Sequence, residues 1–481
     1  MQVNENHFGV VILAAGKGTR MKSELPKVLT PLAGQPLIFH LLDQLALCSK
    51  KLTIGIVVGF EKNKVIEAVQ THPAFHSLSI EFIEQPEMLG TGHAALCAMK
   101  SSLGKKFLEH NLPVFVLPGD SPLMTAHFFD SVFEDVKTES DLHLVTTHLP
   151  NPTGYGRIVR DASGKVLKIV EEKDASHEEK MINEVGLSLY VFEPHFLLNS
   201  LSSIKNNNAQ NEYYLTDVIE DAVSRKMILS SQIWRNSVEL RGVNDLWQLS
   251  QAEEVLYERQ CEKWTRKGVR FVRPSTTLIE STVQIEEGVT IGPGVLLKGK
   301  TIIKKGAFIG AGCELTNTVI GPFAVLKSHV ISTDSVVGQA SVVGPFVQLR
   351  PESLIGNGSK IGNFVELKKS TIGKDTSIAH LSYLGDATVG DRVNIGCGFV
   401  TCNFDGRVID GQRKHQTIID DDVFMGSDCQ TVAPVKIGKG AYVASGSTVT
   451  EEVPPDSLAV ARARQVNKAN YAQKLKKKEE D

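Results

Sequence analysis

Two periods of apolar residues divide this chain. From Val283 to Val460, aliphatic-glycine pairs recur at Ile291-Gly292, Ile309-Gly310, Ile320-Gly321, Val337-Gly338, Val343-Gly344, Ile355-Gly356, Ile361-Gly362, Ile372-Gly373, Val389-Gly390 and Ile395-Gly396. The successive spacings are 18, 11, 17, 6, 12, 6, 11, 17 and 6, multiples of six or one short of one. A six-residue period fits neither a helix face nor a long alternating strand, but it fits a parallel β-helix whose triangular coils have three short sides. The aliphatic residue points into the prism, small residues let the chain turn, and each coil buries its inner face against the next. A sandwich with Gly-rich turns would space its turn signals about 8 to 12 residues apart.

Before residue 245 the pattern changes. Apolar runs at Gly9 to Leu13, Thr53 to Val58, Ser79 to Ile83, Val114 to Leu117 and Leu142 to Thr146 read as strands, with amphipathic helices such as Leu37 to Leu47 and His93 to Met99 between them. This alternation predicts a Rossmann-like α/β layer with a largely parallel sheet, whose ligand crevice lies beyond the carboxyl ends of the strands. Between the two regions, Leu246, Leu249, Val255, Leu256 and Trp264 recur at helical spacing up to Gly268, which predicts a connecting helix with a core-facing stripe. The expected organisation is therefore an α/β domain over 1–245, a helix over 246–268, an all-β rod over 269–460 and a tail over 461–481. The tail ends in the charge run Lys474 to Asp481, expected to be solvated and disordered.

Composition narrows the picture. The 481 residues carry a formal net charge of -3, which argues against nucleic acid as an obligatory partner. Seven cysteines, Cys48, Cys97, Cys261, Cys313, Cys397, Cys402 and Cys429, show no metal-ligand or disulfide spacing and read as reduced, buried thiols. The opening residues, MQVNENHFGV, lack a basic start followed by a long apolar run, and no membrane-spanning segment is found. A soluble, cytoplasmic protein is expected.

Candidate chemistry gathers where strand-like runs end. Leu13-Ala14-Ala15-Gly16-Lys17-Gly18-Thr19-Arg20-Met21 and Leu25-Pro26-Lys27 combine small residues, through which backbone amides can approach phosphates, with the cations Arg20 and Lys27. Such a loop is as compatible with a plain tight turn as with a nucleotide. Gln85 to Gly92 adds an amide side chain able to pair with a base edge, and Asp120 adds a carboxylate suited to Mg²⁺ or to a turn. In the rod, Arg350, Lys368 and Lys369 are cations able to hold a phosphate, and His380 is an isolated histidine.

Several longer motifs carry a resemblance. LAAGKGTRM with LPKVL, QPEMLGTGHA, PGDSPL, PTGYGRI, IVEEKDA, NNNAQNEYYLTD and RGVND resemble the nucleotidyltransferase half of the bifunctional bacterial enzymes that make UDP-N-acetylglucosamine. GPFVQLRP, IGNFVELKKS, AHLSYLGDATVGDRVNIGCG and TCNFDG are similar to the acetyltransferase half, a left-handed parallel β-helix of hexapeptide repeats. The likeness runs from about residue 8 to about residue 464 in the same order. It implies two activities: acetylation of glucosamine 1-phosphate by acetyl-CoA, and uridylyl transfer from UTP to N-acetylglucosamine 1-phosphate with Mg²⁺.

By that resemblance, Leu13, Ala14, Ala15, Gly16, Lys27, Gln85, Gly90 and Thr91 contact the nucleotide, and Asp120 and Asn244 bind the metal. Gly156, Glu171 and Asn244 match the sugar-phosphate contacts; on the chemistry of phosphoryl transfer, Lys27 and Arg20 are the candidates to supply charge for the developing anion. In the rod, His380 is the general base; a free imidazole titrates near about 6.5, which suits that work. Arg350, Lys368, Tyr383 and Asn394 match acceptor contacts, and Cys397, Asn403, Phe404, Ser427, Ser445 and Arg462 match the acetyl-CoA site. Rods of this kind commonly pack side by side as trimers with acyl-CoA sites in the clefts between subunits, so the resemblance implies a homotrimer.

The chain also departs from the family. Pro118 replaces a usual tyrosine and Gly186 a sugar-contacting asparagine; Cys397, Phe404 and Ser445 replace alanine, tyrosine and alanine. The loop Phe404 to Gln416 is several residues longer than in typical relatives. Two other readings follow: acyl and nucleotidyl transfer on a different amino sugar, and a regulatory scaffold, which would have no need of Lys27, Asp120, Asn244 and His380.

Overall fold

A computed structural model describes residues 6–136, 139–208, 210–406, 408 and 411–476. Met1 to Glu5, and Lys477 to Asp481 of the charged tail, lie outside the described residues, as do Arg407, Ile409 and Asp410 of the long loop. The chain divides into two compact units, residues 1–256 and 257–481.

The first unit is built on a nine-stranded sheet. Its strands are β1 (His7–Leu13), β2 (Lys51–Val58), β3 (Ser79–Glu84), β4 (Val114–Pro118), β5 (Leu142–His148), β6 (Gly156–Arg160), β7 (Val166–Val170), β8 (Glu184–Phe192) and β9 (Leu229–Ile233). The order β9-β5-β8-β4-β1-β2-β3 carries the hairpin of β6 and β7 beside β8. β1 pairs in parallel with β2 and β4, and β2 with β3. β8 runs antiparallel to β4, β5 and β6. The sheet is thus mixed where a largely parallel one was expected, since β8, which lies outside the strand-like runs read from the sequence, enters it antiparallel. Helices α1 (Leu37–Ala46) and α2 (Thr91–Lys100) bury opposite faces: Leu41, Leu42 and Leu45 join Val10, Ile12 and Ile54 on one side, and Ala94, Ala95 and Met99 join Val11 and Val57 on the other. Each fully buried aliphatic side chain contributes about 1.5–3 kcal/mol.

Helix α3 (Leu246–Arg266) spans the division between the units. Ala252, with Leu249, Val255 and Leu256, packs with Leu32, Leu37 and Val243 of the first unit. Cys261 and Trp264 belong to the core that continues through Ile279 and Ile291. Leu246, placed on the stripe by its spacing, is exposed together with Trp247, since both lie in the first turn. Gly268, with φ +87, ends the helix. Among the described residues no helix is long and apolar enough to cross a membrane.

The second unit is the left-handed parallel β-helix, with sheets of eleven, ten and nine short strands among the described residues. One interior file runs Ile291, Ile309, Leu326, Val343, Ile361, Ile378, Ile395, Met425 and Val443, each in register with the next coil. These side chains are almost wholly buried. At the corner after this file the backbone turns through positive φ at His329, Phe346, Phe364 and Leu381. Their outward rings stack, His329 on Phe346 at 5.1 Å and Phe346 on Phe364 at 5.4 Å, and Phe346, Phe364 and Leu381 are 50%, 56% and 57% exposed.

The cysteines are free, and Cys261, Cys313 and Cys429 are buried. Cys48, Cys97 and Cys397 are only half-buried, and Cys402 departs furthest from the expectation: it is exposed, because in Val400–Cys402 the inward position belongs to Thr401. The tail also differs, since Tyr471–Lys476 is a helix with every side chain exposed; its Ala, Gln, Leu and Lys are good helix formers.

Candidate functional site

In the first unit the strand ends bring the predicted loop residues together. Leu13 closes β1, and its carbonyl accepts the Gly119 amide at 2.9 Å, which sets Asp120 beside the glycine-containing loop. Gly18, at φ +65, leaves room for Lys27, since a Cβ there would stand 2.7 Å from the Lys27 Cβ. The Lys27 ammonium is ion-paired with Asp120 Oδ2 and donates to Asn244 Oδ1 at 2.9 Å. Arg20 Nη2 donates to the same Asn244 oxygen at 3.0 Å. Asn244 is held in place because the Val243 amide donates to the Asp120 carbonyl at 2.9 Å. Two oxygens, one a carboxylate, therefore converge on a cation, a donor set that suits a hard metal ion completed by phosphate oxygens. Among the described residues no group of three His, Cys, Asp or Glu side chains forms a metal cluster.

Gln85 is buried, and its amide group donates to the Gly90 carbonyl at 3.1 Å. Its NH₂ braces the Gln85 to Gly92 loop, which leaves the carbonyl oxygen as the group available to a base edge. Thr91 Oγ1 accepts the Leu215 amide at 3.1 Å, tying this loop to the Asn211-Glu212-Tyr213-Tyr214-Leu215 segment. Ala14 and Ala15 are buried and Gly16 is open to solvent.

Glu171 is not a solvated surface charge. Burial raises its carboxyl above the ordinary range although the Thr216 hydroxyl donates to Oε1 at 3.1 Å. A Cβ on Gly156 would stand 3.7 Å from that oxygen. Gly156 pairs across the sheet with Gly186, and a Cβ on Gly186 would come 3.2 Å from Ile169 Cδ1 and 3.3 Å from Ile158 Cδ1. An asparagine at Gly186 would have to press on these isoleucines. Pro118 sits opposite Leu13 in the register of β1 and β4. A cavity of about 400 Å³ is lined by Tyr155, Arg241, Asp245, Trp247 and Gln248, with Gly242. The sequence marked neither Thr216 nor Tyr155 individually, although both lie in quoted motifs.

In the rod, His380 is exposed at a corner, and its Nδ1 lies 2.9 Å from Asn363 Oδ1, one coil away and in register. With Asn363 presenting its oxygen, Nδ1 carries the hydrogen and Nε2 keeps its lone pair. Continuing the register past Ile378, Ile395, Met425 and Val443 puts Cys397, Ser427 and Ser445 in file with His380 along this corner. Arg462 follows the last coil and is exposed.

Arg350, Lys368 and Tyr383 lie on the adjoining sheet. Arg350 Nη1 donates to Glu366 Oε1 at 2.9 Å. Asn403 is buried and donates to Asp386 Oδ2 at 2.6 Å, and a side chain on Gly385 would overlap both the Asn403 amide and the Tyr383 hydroxyl. Asn394 is instead in the sheet that carries His380. One chain therefore leaves the predicted acceptor residues on two faces of the prism. Phe404 is exposed, and Lys414 lies over its ring at 4.6 Å. Residues missed by the sequence reading are Asn363, which orients His380, and Lys414 and Arg413, which share a cavity of about 470 Å³ with Lys368, Lys369 and Asp386. The unusual length of the corner loop was the available signal for the latter pair.

The Nucleotidyl transferase family model matches residues 9–254. The "Bifunctional protein GlmU" of Geobacillus sp. (strain WCH70) is 43% identical over 467 residues, 97% of this chain and 97% of its own length. The proteins of the same name from Exiguobacterium sibiricum and Halalkalibacterium halodurans are 43% and 42% identical, covering 97% and 98% of this chain and 100% and 99% of theirs. By these matches the chain belongs to the GlmU family of bifunctional proteins and, over residues 9–254, to the nucleotidyl transferases.

Proposed function

We infer that this chain is a bifunctional enzyme that acetylates glucosamine 1-phosphate with acetyl-CoA in the rod, then joins N-acetylglucosamine 1-phosphate to UMP from UTP in the α/β unit. The observation that carries the second reaction is the convergence of Lys27, Asp120 and Asn244 beyond the ends of β1 and β4. A phosphate oxygen of the sugar attacks the α-phosphorus of UTP, the bond to pyrophosphate breaks, and no protein nucleophile is required. Lys27 and Arg20 balance the charge on the phosphates. Asp120 and Asn244 would hold Mg²⁺, which would supply Lewis-acid stabilisation of the phosphate oxygens. Gln85 and Thr91 hold the uridine side, and Glu171 with Gly156 the sugar.

For acetyl transfer, the acceptor amine attacks the thioester carbonyl, His380 Nε2 removes the amine proton, and the CoA thiolate leaves. The Asn363 contact supports this role by fixing the tautomer. Arg350, Lys368 and Lys414 face the acceptor phosphate; Tyr383 and Asn394 hold its sugar. Cys397, Asn403, Phe404, Ser427, Ser445 and Arg462 receive acetyl-CoA, whose long arm the file of Cys397, Ser427 and Ser445 suits.

The acceptor residues lie on two faces of one prism, and the exposed ladder of Phe346, Phe364 and Leu381 borders His380. These features support a homotrimer in which neighbouring rods complete each site; we place it in the cytoplasm, and the formal net charge of -3 argues against an obligatory nucleic-acid partner. Light scattering on the purified protein should give three times the chain mass; a monomer that still acetylates would remove the shared site. Gly186, backed by Ile158 and Ile169, favours one second reading, acceptance of a different sugar 1-phosphate. Mg²⁺-dependent pyrophosphate release from UTP decides between them. Preference for N-acetylglucosamine 1-phosphate over glucosamine 1-phosphate and glucose 1-phosphate is expected, and preference for another sugar would transfer the assignment to it.

A further inference from the structure

Arg157 lies in β6 between Gly156 and Ile158 and is 1% exposed. A buried guanidinium is costly unless paired, and the reaction just derived makes no use of it. Its Nη2 donates to Glu172 Oε2 at 2.7 Å, and its Nη1 donates to the Tyr155 carbonyl. The same Glu172 oxygen accepts the Gly154 amide at 3.2 Å. Although burial opposes the charge, the Gly154 amide and Arg157 hold the Glu172 carboxyl below its ordinary range.

The partners of this guanidinium are chain neighbours of the sugar-phosphate residues. Tyr155 immediately precedes Gly156, and Glu172 immediately follows Glu171. Gly156 and Glu171 face one another across the start of β6 and the end of β7, as the 3.7 Å approach described above requires. Tyr155 also lines the cavity of about 400 Å³ together with Arg241 and Asp245. One rigid, forked cation thus grips the residue before one wall of the acceptor site and the residue after the other.

We propose that Arg157 and Glu172 are a positioning pair for the sugar-phosphate acceptor, setting the separation of Gly156 and Glu171. The proposal rests on the reading of the α/β unit as a sugar 1-phosphate nucleotidyltransferase. Misplacing an acceptor wall weakens acceptor binding while the loops that hold UTP, braced separately by Gln85 and Thr91, keep theirs.

The test uses the full-length protein as wild type, Arg157→Met, Glu172→Gln and the double variant, with pyrophosphate release, acetyl transfer and thermal midpoints measured on each. Glu172→Gln strands a buried cation and should lose thermal stability; removing Arg157 as well relieves that charge and should recover most of the loss. The expected result is a KM for N-acetylglucosamine 1-phosphate raised about tenfold or more in all three variants, the double included. The KM for UTP should stay within about twofold and acetyl transfer should be unchanged. Recovery of the sugar KM together with stability in the double variant, or equal rises in both KM values, would overturn the pair as a positioning device. Wild-type protein that releases no pyrophosphate with any sugar 1-phosphate overturns the reading beneath it as well, whereas wild-type turnover with unaltered variants overturns the pair alone.

Discussion

Replacing Asn363 with alanine should slow acetyl transfer without touching uridylyl transfer. The His380 ring meets Asn363 Oδ1 at 2.9 Å through Nδ1, and when Nε2 takes the acceptor proton this contact becomes a hydrogen bond from an imidazolium. A hydrogen bond to a charged group contributes about 1.5–3 kcal/mol. At tenfold in rate per about 1.4 kcal/mol, its loss lowers kcat roughly ten- to 150-fold. Asn363→Asp keeps an acceptor at the same place and adds a negative charge, which favours the imidazolium. That variant should retain most of the activity, with the acid limb of its pH profile moved to higher pH. Thiol release from acetyl-CoA measures acetyl transfer, and pyrophosphate release from the same preparation is the internal control. Asn363→Ala acting within about twofold of wild type, or Asn363→Asp as impaired as Asn363→Ala, would refute the argument that Asn363 fixes the base.

Asp120→Ala should reduce pyrophosphate release by at least about a hundredfold and spare acetyl transfer; equal loss of both would break the assignment of two reactions to two units. Asp217 has its pKa raised to about 6, by burial first and then by Glu220, Glu171 and Asp174. A carboxyl with a raised folded-state pKa contributes stability that is present below its unfolded value and lost as pH rises through about 6. Asp217→Asn should therefore stabilise the α/β unit at pH about 8 and give no advantage at pH about 4, near the unfolded value; urea titrations showing the same difference at both would contradict it. Phe399 is 0% exposed in the rod, so Phe399→Ala should cost about 3–5 kcal/mol. Calorimetry should then show the rod transition moving down while the α/β transition stays in place, and an unmoved rod would count against Phe399 as core.

Periodicity made the rod legible because every coil must repeat its inward residue, and Ile291, Ile309 and Ile361 occupy the register their spacing implied. The α/β unit was legible at Leu13, Asp120 and Gln85 for a different reason: a parallel sheet collects its strand ends at one edge, so loops distant in sequence meet there. β8 was not among the runs read from the sequence, and it is the strand that reverses. Partnerships were less legible. Nothing local tells Glu171, beside Glu172, that the Thr216 hydroxyl will meet it, and Asn363 looks like an ordinary polar corner residue until the next coil sets His380 against it. Lys414 joined Lys368 and Lys369 through a corner excursion whose path is not encoded in a repeat.

That excursion leaves the prism after Val400–Cys402 and returns at Thr417–Ile419. On either side of it the ladders are unbroken, since Thr401 still pairs with Thr431 and Thr388 with Ile418. A corner thus accepts extra chain without shifting the interior file, whereas one residue added within a side would turn the next apolar side chain out of the prism. Peptides grafted at such corners should leave folding of the rod intact, and new binding surfaces can be acquired there independently of the scaffold that displays them.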